Sequence, residues 1–212
     1  RHGLPAGLQG SVFSFSNVLI QSSINSFGSI AMAGSSAAAN IEGFIYTAMN
    51  SFQQTALCFT SQNLGGGKHD RITKVLRNSV LMVSFVGIVM GCGCYFFGEE
   101  LLSVYSSDPE VISYGLIRFR WIGIPYFLCG IMDALVGMLR GLGYAIVPMA
   151  VSIIGACGFR IVWIATVFAR FHSLDVLFSS YGISWILTGG THFICFMIVW
   201  GRLKKKLTDS PV

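Results

Sequence analysis

Three ionisable residues lie inside long apolar stretches of the sequence, where a charge needs a physical reason to remain. Asp133 lies within the run 120–143, Glu42 lies near the beginning of another run, and Arg160 follows Pro148 by twelve residues. A charge at the centre of a bilayer costs at least ~2.5–3.5 kcal/mol, and such residues commonly pair with one another or mark ion and substrate pathways. We therefore expect the chemistry of this chain to involve these three side chains.

Glu42 and Arg160 are predicted to lie at the same depth. Glu42 is about six residues from the outer end of its run, which is ~10 Å at 1.5 Å per residue. Arg160 is ~18 Å from the inner end of its run, which leaves ~12 Å to the outer edge of a hydrocarbon core ~30 Å thick. We therefore predict an ion pair between them, because pairing lowers the cost of burying each charge.

Asp133 has no basic residue at its own depth in the fourth to sixth apolar runs. It precedes Arg140 by seven residues, which places it ~10 Å above the inner face. An unpaired acid in a low-dielectric cavity can take up and release a proton or hold a sodium ion, so we predict that Asp133 couples ion movement. Glu42 is predicted as a second ion-coupling residue. The alternative is that Asp133 is a structural acid that accepts hydrogen bonds from backbone or amide groups.

The elements that hold these charges are predicted from hydrophobicity. Of the 212 residues, 53% are hydrophobic and only 11% are charged, whereas a soluble domain carries about 25% charged residues. Six apolar runs are each near the ~20 residues that a membrane-spanning helix needs. The sequence therefore predicts an all-α polytopic membrane protein, with a bundle of six transmembrane helices in residues 1–206 and a tail at 207–212. The predicted spans are about 5–27, 36–60, 79–98, 117–139, 147–169 and 178–200.

Basic residues are concentrated in alternate gaps between the runs. Segments 66–78 and 201–206 each contain four Lys or Arg residues, whereas 99–116 contains four acidic residues. The positive-inside rule then predicts a cell-membrane protein with both ends of this chain in the cytoplasm. These loops account for the net charge of +5, and we expect no nucleic-acid partner. Because the sequence begins at Arg1 rather than at methionine, we interpret it as part of a longer chain.

The first two predicted helices carry polar residues at helical spacing. Residues three, four or seven apart share one face of a helix, so each set of polar residues forms a stripe along its helix. In the second helix this stripe also includes Asn40 and Ser61. The stripes either line a water-accessible cavity or supply hydrogen bonds between helices. We predict a substrate cavity lined by Ser14, Asn17, Gln21, Asn25, Thr47, Asn50 and Gln54.

Further signals concern the scaffold. Asp108-Pro109-Glu110 is typical of a helix start and predicts a short surface helix before the fourth span. Gly87-x-x-x-Gly91 predicts a close helix crossing, and His192 is interpreted as a packing residue. All six cysteines fall within apolar runs, which favours packing and predicts no metal site.

Several short motifs resemble the C-terminal half of the multidrug and toxic compound extrusion (MATE) family of antiporters. The resemblance covers essentially the whole chain and depends on the order and spacing of the motifs together. The motifs are Gly3-Leu4-Pro5, Ala38-Ala39-Asn40-Ile41-Glu42, Gln62-Asn63-Leu64-Gly65, Met132-Asp133-Ala134-Leu135, Leu139-Arg140-Gly141-Leu142-Gly143 and Pro148.

The resemblance implies one lobe of a twelve-helix protein that alternates between outward-open and inward-open states. Members expel organic cations, drugs and toxic amphipathic compounds in exchange for Na+ or H+. The expected partners are therefore a small-molecule substrate, the lipid bilayer and an N-terminal six-helix lobe, with no enzyme activity and no cofactor besides the coupling ion. In NorM-like members an acid on the fourth helix of this lobe contributes to cation binding, and Asp133 has a comparable position. Those members also have an acid on the first helix, whereas residues 9–14 contain none, which argues against a NorM-type sodium site.

Two other classes of protein share part of this pattern. A membrane-embedded transferase needs an Asp-rich metal motif or a His/Asp constellation, and the sequence has neither. A P-loop is also missing, because Gln62 stands where its first glycine belongs and His69 follows Lys68. A lipid-linked oligosaccharide flippase has a similar architecture but needs several cationic side chains in its cavity. Arg160 is the one deep cation predicted here, and we expect Glu42 to neutralise it.

Overall fold

The computed structural model describes residues 3–208, with the side chains of residues 11–206. This part of the chain is almost entirely helical and contains no strand. The fifth helix ends in a π-helical turn, and the seventh contains two such turns. The helices are α1 (Gly3–Asn25), α2 (Ser29–Gly65), α3 (Asp70–Phe96), α4 (Gly98–Ser103), α5 (Pro109–Gly123), α6 (Tyr126–Gly141), α7 (Ile146–Phe168) and α8 (Leu174–Thr208).

Several of these helices are long and apolar enough to cross a membrane. Among the described residues, α3, α7 and the segment Leu174–Lys206 of α8 meet this requirement singly, and α5 and α6 meet it together. Helices α1 and α2 have 23 and 37 residues, and neither is among the helices that meet the requirement within the described residues. The prediction of an all-α polytopic membrane protein is confirmed. The number of spans, six, stays a prediction.

The fourth predicted span, 117–139, is broken rather than straight. Helices α5 and α6 meet at an angle of 43°, and Pro125 lies at the junction, where its missing N–H interrupts the helical hydrogen bonds. The N–H of Ile124 donates instead to the carbonyl oxygen of Phe119 at 3.0 Å. Arg118 lies inside α5, because this helix begins at Pro109 and not at residue 117.

The start of α5 follows its sequence signature. The carboxylate of Asp108 accepts a hydrogen bond from the backbone N–H of Glu110 at 2.9 Å, and Pro109 occupies the first helical position. This arrangement satisfies one of the free N–H groups at a helix terminus. The predicted helix start is therefore confirmed.

Helix α6 is the centre of the fold. Of residues 132–139, every one except Asp133 is buried. A glycine seam on α6 brings α2 close, because a β-carbon at Gly137 would meet the carbonyl oxygen of Gln53 and one at Gly141 would lie 2.7 Å from Cβ of Thr60. This packing fixes the position of Asp133 on the one face of α6 that is left open.

Helix α3 packs against the break between α5 and α6. Gly87 and Gly91 are both buried, and a β-carbon at Gly87 would lie 2.7 Å from the Cα of Phe127. One at Gly91 would collide with the carbonyl oxygen of Gly123. The predicted close crossing is confirmed, and it secures the bend.

Candidate substrate cavity

A cavity of about 630 Å³ lies between α1, α2, α5, α6, α7 and α8. Its volume is in the range of small-molecule binding sites, roughly 300–1,000 Å³. The charged residues that line it are two acids, Glu42 and Asp133, and three arginines, Arg118, Arg140 and Arg160. The three charges singled out from the sequence therefore lie around the same cavity.

The predicted ion pair between Glu42 and Arg160 is wrong, because Glu42 pairs with Arg118. The guanidinium of Arg118 donates to both carboxylate oxygens of Glu42 at 2.9–3.2 Å. A fourth hydrogen bond goes from Arg118 to the hydroxyl of Ser35 at 3.0 Å. Glu42 and Arg118 are only 4% and 12% exposed, so this fork of charge-assisted hydrogen bonds compensates two buried charges.

Small residues explain why Arg118 reaches Glu42. A β-carbon at Gly34 of α2 would lie 2.8 Å from Cβ of Tyr114, and Gly115 is buried at the same crossing. The two backbones therefore approach closely, and Arg118, one turn beyond Gly115, comes to lie beside Glu42. The glycines are the sequence signal that could have identified this partner.

Arg160 has no acidic partner within 4 Å among the residues whose side chains are described. Its Nε donates to the hydroxyl of Ser184 at 3.2 Å, and its guanidinium lies 4.0 Å from the centre of the Tyr181 ring. The side chain is 3% exposed. The sequence predicted equal depths for Arg160 and Glu42 along the membrane axis. In the structure, however, their helices place them on different parts of the cavity wall.

Asp133 lies half-buried on the cavity wall formed by α6. Its carboxylate makes no hydrogen bond and no ion pair within the described part of the chain. The positive charge that acts on it most strongly is that of Arg140, two turns further along α6. A carboxylate in this setting is available for a proton, a cation or a substrate group.

The polar stripe of α1 contributes to the cavity only in part. Asn17 and Gln21 line it, whereas Ser14 and Asn25 are exposed elsewhere. Both lining amides lie on the same face of α1, as the spacing predicted. Whether they contact a substrate stays a prediction.

The cavity-facing side of α2 differs from the predicted stripe by one residue. Tyr46 and Gln53 line the cavity, whereas Thr47 and Gln54 are exposed and Asn50 is partly buried outside the lining. One residue corresponds to a rotation of about 100° on an α-helix. The stripe therefore marks a second polar face of α2, beside the one that faces the cavity.

Hydroxyl groups on this outward face of α2 are satisfied by the helix itself. Thr47 donates to the carbonyl oxygen of Gly43 at 2.9 Å, Ser51 to that of Thr47 at 3.0 Å, and Thr55 to that of Ser51 at 2.8 Å. Such bonds to the residue four positions earlier leave no free donor.

Aromatic residues form the cavity wall around Arg160, and sequence analysis did not single them out. The ring centres of Tyr126 and Trp185 lie 5.3 Å apart, and those of Tyr181 and Trp185 lie 5.8 Å apart. They belong to α6 and α8, and all three line the cavity. Their spacing in the sequence gave no signal, because aromatic residues are frequent throughout the chain.

His192 lies outside this cavity, in the contact between α7 and α8. It is fully buried, and its Nε2 lies 3.1 Å from the hydroxyl of Ser152. Its Nδ1 has no hydrogen-bond partner among the described residues. The position fits a packing residue.

The helical bundle and its charged, aromatic cavity define a polytopic membrane protein of the transporter class. The family model described as MatE matches residues 5–166. The chain therefore belongs to the MatE family of transporters, as the resemblance in its motifs indicated.

Relatives and solved structures agree with this membership. The chain is 23% identical to a Thermotoga maritima protein that bears the name multidrug resistance protein NorM, over 84% of this chain and 38% of the relative. It is 23% identical to a Bacillus subtilis protein that bears the name "Probable multidrug resistance protein YoeA", over 95% of this chain and 42% of the relative. The Vibrio cholerae MATE transporter VcmN in its bent form has the same fold, with a TM-score of 0.83 and 19% identity over 93% of this chain and 45% of that chain. The chain thus spans less than half the length of these proteins.

Proposed function

We propose that this chain is one six-helix lobe of a secondary active antiporter that exports amphipathic small molecules in exchange for Na+ or H+ by alternating access. The observation that supports this most directly is Asp133, an acid without a described hydrogen-bond partner on the wall of a drug-sized cavity. Family membership supports export, and the names of two relatives associate those proteins with multidrug resistance. Asp133 is the proposed coupling group, whereas Glu42 is already neutralised by Arg118.

The proposed topology has six spans in the cell membrane. Helices α1, α2, α3, α7 and α8 each form one span, and α5 and α6 together form the bent fourth span. Both ends then lie in the cytoplasm, as the basic segments favour. The outward polar face of α2 would contact water or an N-terminal lobe of six further helices, for which the partial coverage of the relatives leaves room.

The test uses the complete protein in liposomes with an imposed proton or sodium gradient. Two fluorescent xanthene dyes of opposite charge, rhodamine 123 and 5-carboxyfluorescein, report transport without presuming the charge of the substrate. Asp133→Asn keeps the size of the side chain but removes its ionisation, so gradient-driven movement should be lost while folding is retained. Asp70→Asn, an exposed acid in the first turn of α3, is the matched control and should behave like the parent.

Two outcomes would contradict the proposal. Transport that survives in Asp133→Asn would assign coupling to another acid. Movement of neither dye under either gradient would refute antiport of such compounds and favour the alternative, a lipid-linked oligosaccharide flippase. That alternative is favoured by one observation, the guanidinium of Arg160 without an acidic partner in the cavity wall.

A further inference from the structure

Arg160 is a buried charge that the described part of the protein does not neutralise. Of its five N–H donors, the one on Nε binds Ser184, and the four on the terminal nitrogens have no hydrogen-bond partner among the described residues. A buried ion is normally paired or fully hydrogen-bonded. The terminal nitrogens of Arg160 are not among the described enclosed atoms that lack a partner, so they keep access to the cavity that Arg160 lines. Arg118, in the same cavity, shows the satisfied arrangement, with four hydrogen bonds.

The structure around Arg160 holds its guanidinium in one orientation. The hydroxyl of Ser184 donates to the carbonyl oxygen of Tyr181 at 2.8 Å, so its lone pair is free to accept from Arg160. The ring of Tyr181 covers one side of the guanidinium at 4.0 Å, a cation–π contact. Arg160 also lies on the short α-helical segment Phe159–Trp163 between two π-helical turns, and such turns occur frequently at functional sites.

The cavity as a whole does not have the charge expected for a site that selects cations. Glu42 and Arg118 neutralise each other. Asp133 and Arg160, which also line the cavity, carry opposite charges, so the lining is not predominantly acidic. A substrate that brings a negative group to Arg160 would be stabilised, because guanidinium binds carboxylate or phosphate through two parallel hydrogen bonds.

The wall beside Arg160 also suits an aromatic group. The ring centre of Trp185 lies 5.3 Å from that of Tyr126 and 5.8 Å from that of Tyr181. All three residues line the cavity together with Arg160. Aromatic side chains contribute large apolar contact areas at little conformational cost. One end of a ligand would therefore bind Arg160 while its ring packs against these residues.

We propose that Arg160 is an anion-binding residue of the cavity and that the substrate is an amphipathic aromatic compound with a carboxylate, sulfonate or phosphate group. This rests on the proposed function, because it takes the cavity to be the substrate site of a transporter. It narrows the expected substrates, which were organic cations, drugs and toxic amphipathic compounds, to amphipathic compounds that carry a negative group. Asp133 is left for the coupling ion or for a positive group on a zwitterionic substrate.

Binding of the two xanthene dyes to the complete protein in phosphatidylcholine nanodiscs tests this directly. Fluorescence anisotropy is measured without any ion gradient, and empty nanodiscs supply the correction for dye in the lipid. We expect 5-carboxyfluorescein to bind more tightly than rhodamine 123. Arg160→Gln should weaken 5-carboxyfluorescein binding by about tenfold or more, because a hydrogen bond to a charged group is lost.

Control variants separate charge from geometry. Arg160→Lys keeps the positive charge but loses the planar guanidinium that can form two parallel hydrogen bonds. It should therefore bind 5-carboxyfluorescein more tightly than Arg160→Gln and less tightly than the parent. Arg170→Gln makes the same change at an exposed residue just beyond α7 and should leave binding as in the parent. Rhodamine 123 should bind Arg160→Gln at least as tightly as the parent.

The proposal is overturned if the parent prefers rhodamine 123, or if Arg160→Gln changes 5-carboxyfluorescein affinity by less than about twofold. If Arg160→Gln does not fold, displacement of 5-carboxyfluorescein from the parent decides: benzoate should displace it, and equal displacement by benzylammonium would overturn the proposal. Anion-selective binding without gradient-driven transport supports the role of Arg160 while refuting antiport. Gradient-driven transport of rhodamine 123 without 5-carboxyfluorescein binding would support antiport while refuting the role of Arg160.

Discussion

The ion pair between Glu42 and Arg118 should make a large and measurable contribution to stability. Three hydrogen bonds of 2.9–3.2 Å join two side chains that are 4% and 12% exposed. Removing one partner of a buried pair leaves the other unpaired and costs about 3–5 kcal/mol. Because 1 kcal/mol shifts the unfolding midpoint of a 150–250-residue unit by about 2–4 °C, Glu42→Gln or Arg118→Gln should lower Tm by about 6–20 °C.

A double-mutant cycle isolates the pair from other effects. Glu42→Gln combined with Arg118→Gln should destabilise by clearly less than the sum of the two single changes, because the second substitution removes a charge that the first has already left unpaired. Glu42→Gln combined with Arg160→Gln is the matched control and should be additive to within about 0.5 kcal/mol. Thermal unfolding in detergent, followed by tryptophan fluorescence, gives the midpoints.

The reasoning is refuted by the reverse pattern. Additivity between Glu42 and Arg118, together with coupling between Glu42 and Arg160, would mean that matching by depth identifies the partner correctly. A charge exchange, Glu42→Arg with Arg118→Glu, adds a second check. It should be more stable than either single exchange, since each of those places like charges together in a buried site.

Two further pairs of substitutions test close packing elsewhere in the helical bundle. Gly91→Ala places a methyl group against the carbonyl oxygen of Gly123, so the unfolding midpoint should fall by several degrees. Gly93→Ala has open space around it and should hold or raise the midpoint, since alanine favours a helix by up to ~1 kcal/mol over glycine. Ser152→Ala removes the hydroxyl 3.1 Å from Nε2 of His192 and should cost about 1–3 kcal/mol, because a buried polar group loses its partner; Ser152→Thr keeps the hydroxyl and should cost less. Scanning fluorimetry in detergent measures all four, and equal midpoints within either pair would contradict the packing described.

Much of the fold could be predicted from the sequence, because long apolar runs have few physical solutions in a membrane. The helix start at Asp108 and the close crossing at Gly87 and Gly91 followed from local rules that need no tertiary information. The break at Pro125 was not predicted. The apolar run continues through it, and hydropathy does not register a missing N–H.

The candidate site was predicted in its components but not in its pairing. Glu42, Asp133 and Arg160 were identified because each is costly in lipid, and all three line one cavity. The partner of Glu42 was missed because depth fixes only one coordinate, whereas a contact requires three. Arg118 was not considered as a partner. The predicted span begins at residue 117, whereas the helix that carries Arg118 begins at Pro109 and packs beside α2.

The hydroxyl groups along the outward face of α2 have a consequence for the movement of the helix between environments. Thr47, Ser51 and Thr55 each donate to a carbonyl oxygen of the preceding turn, so none needs water as an acceptor. Leaving an aqueous cleft for a dry contact then requires no bond to be broken at these positions, and the return requires none to be formed. These three hydroxyl positions can thus be wetted and dried repeatedly at little free-energy cost.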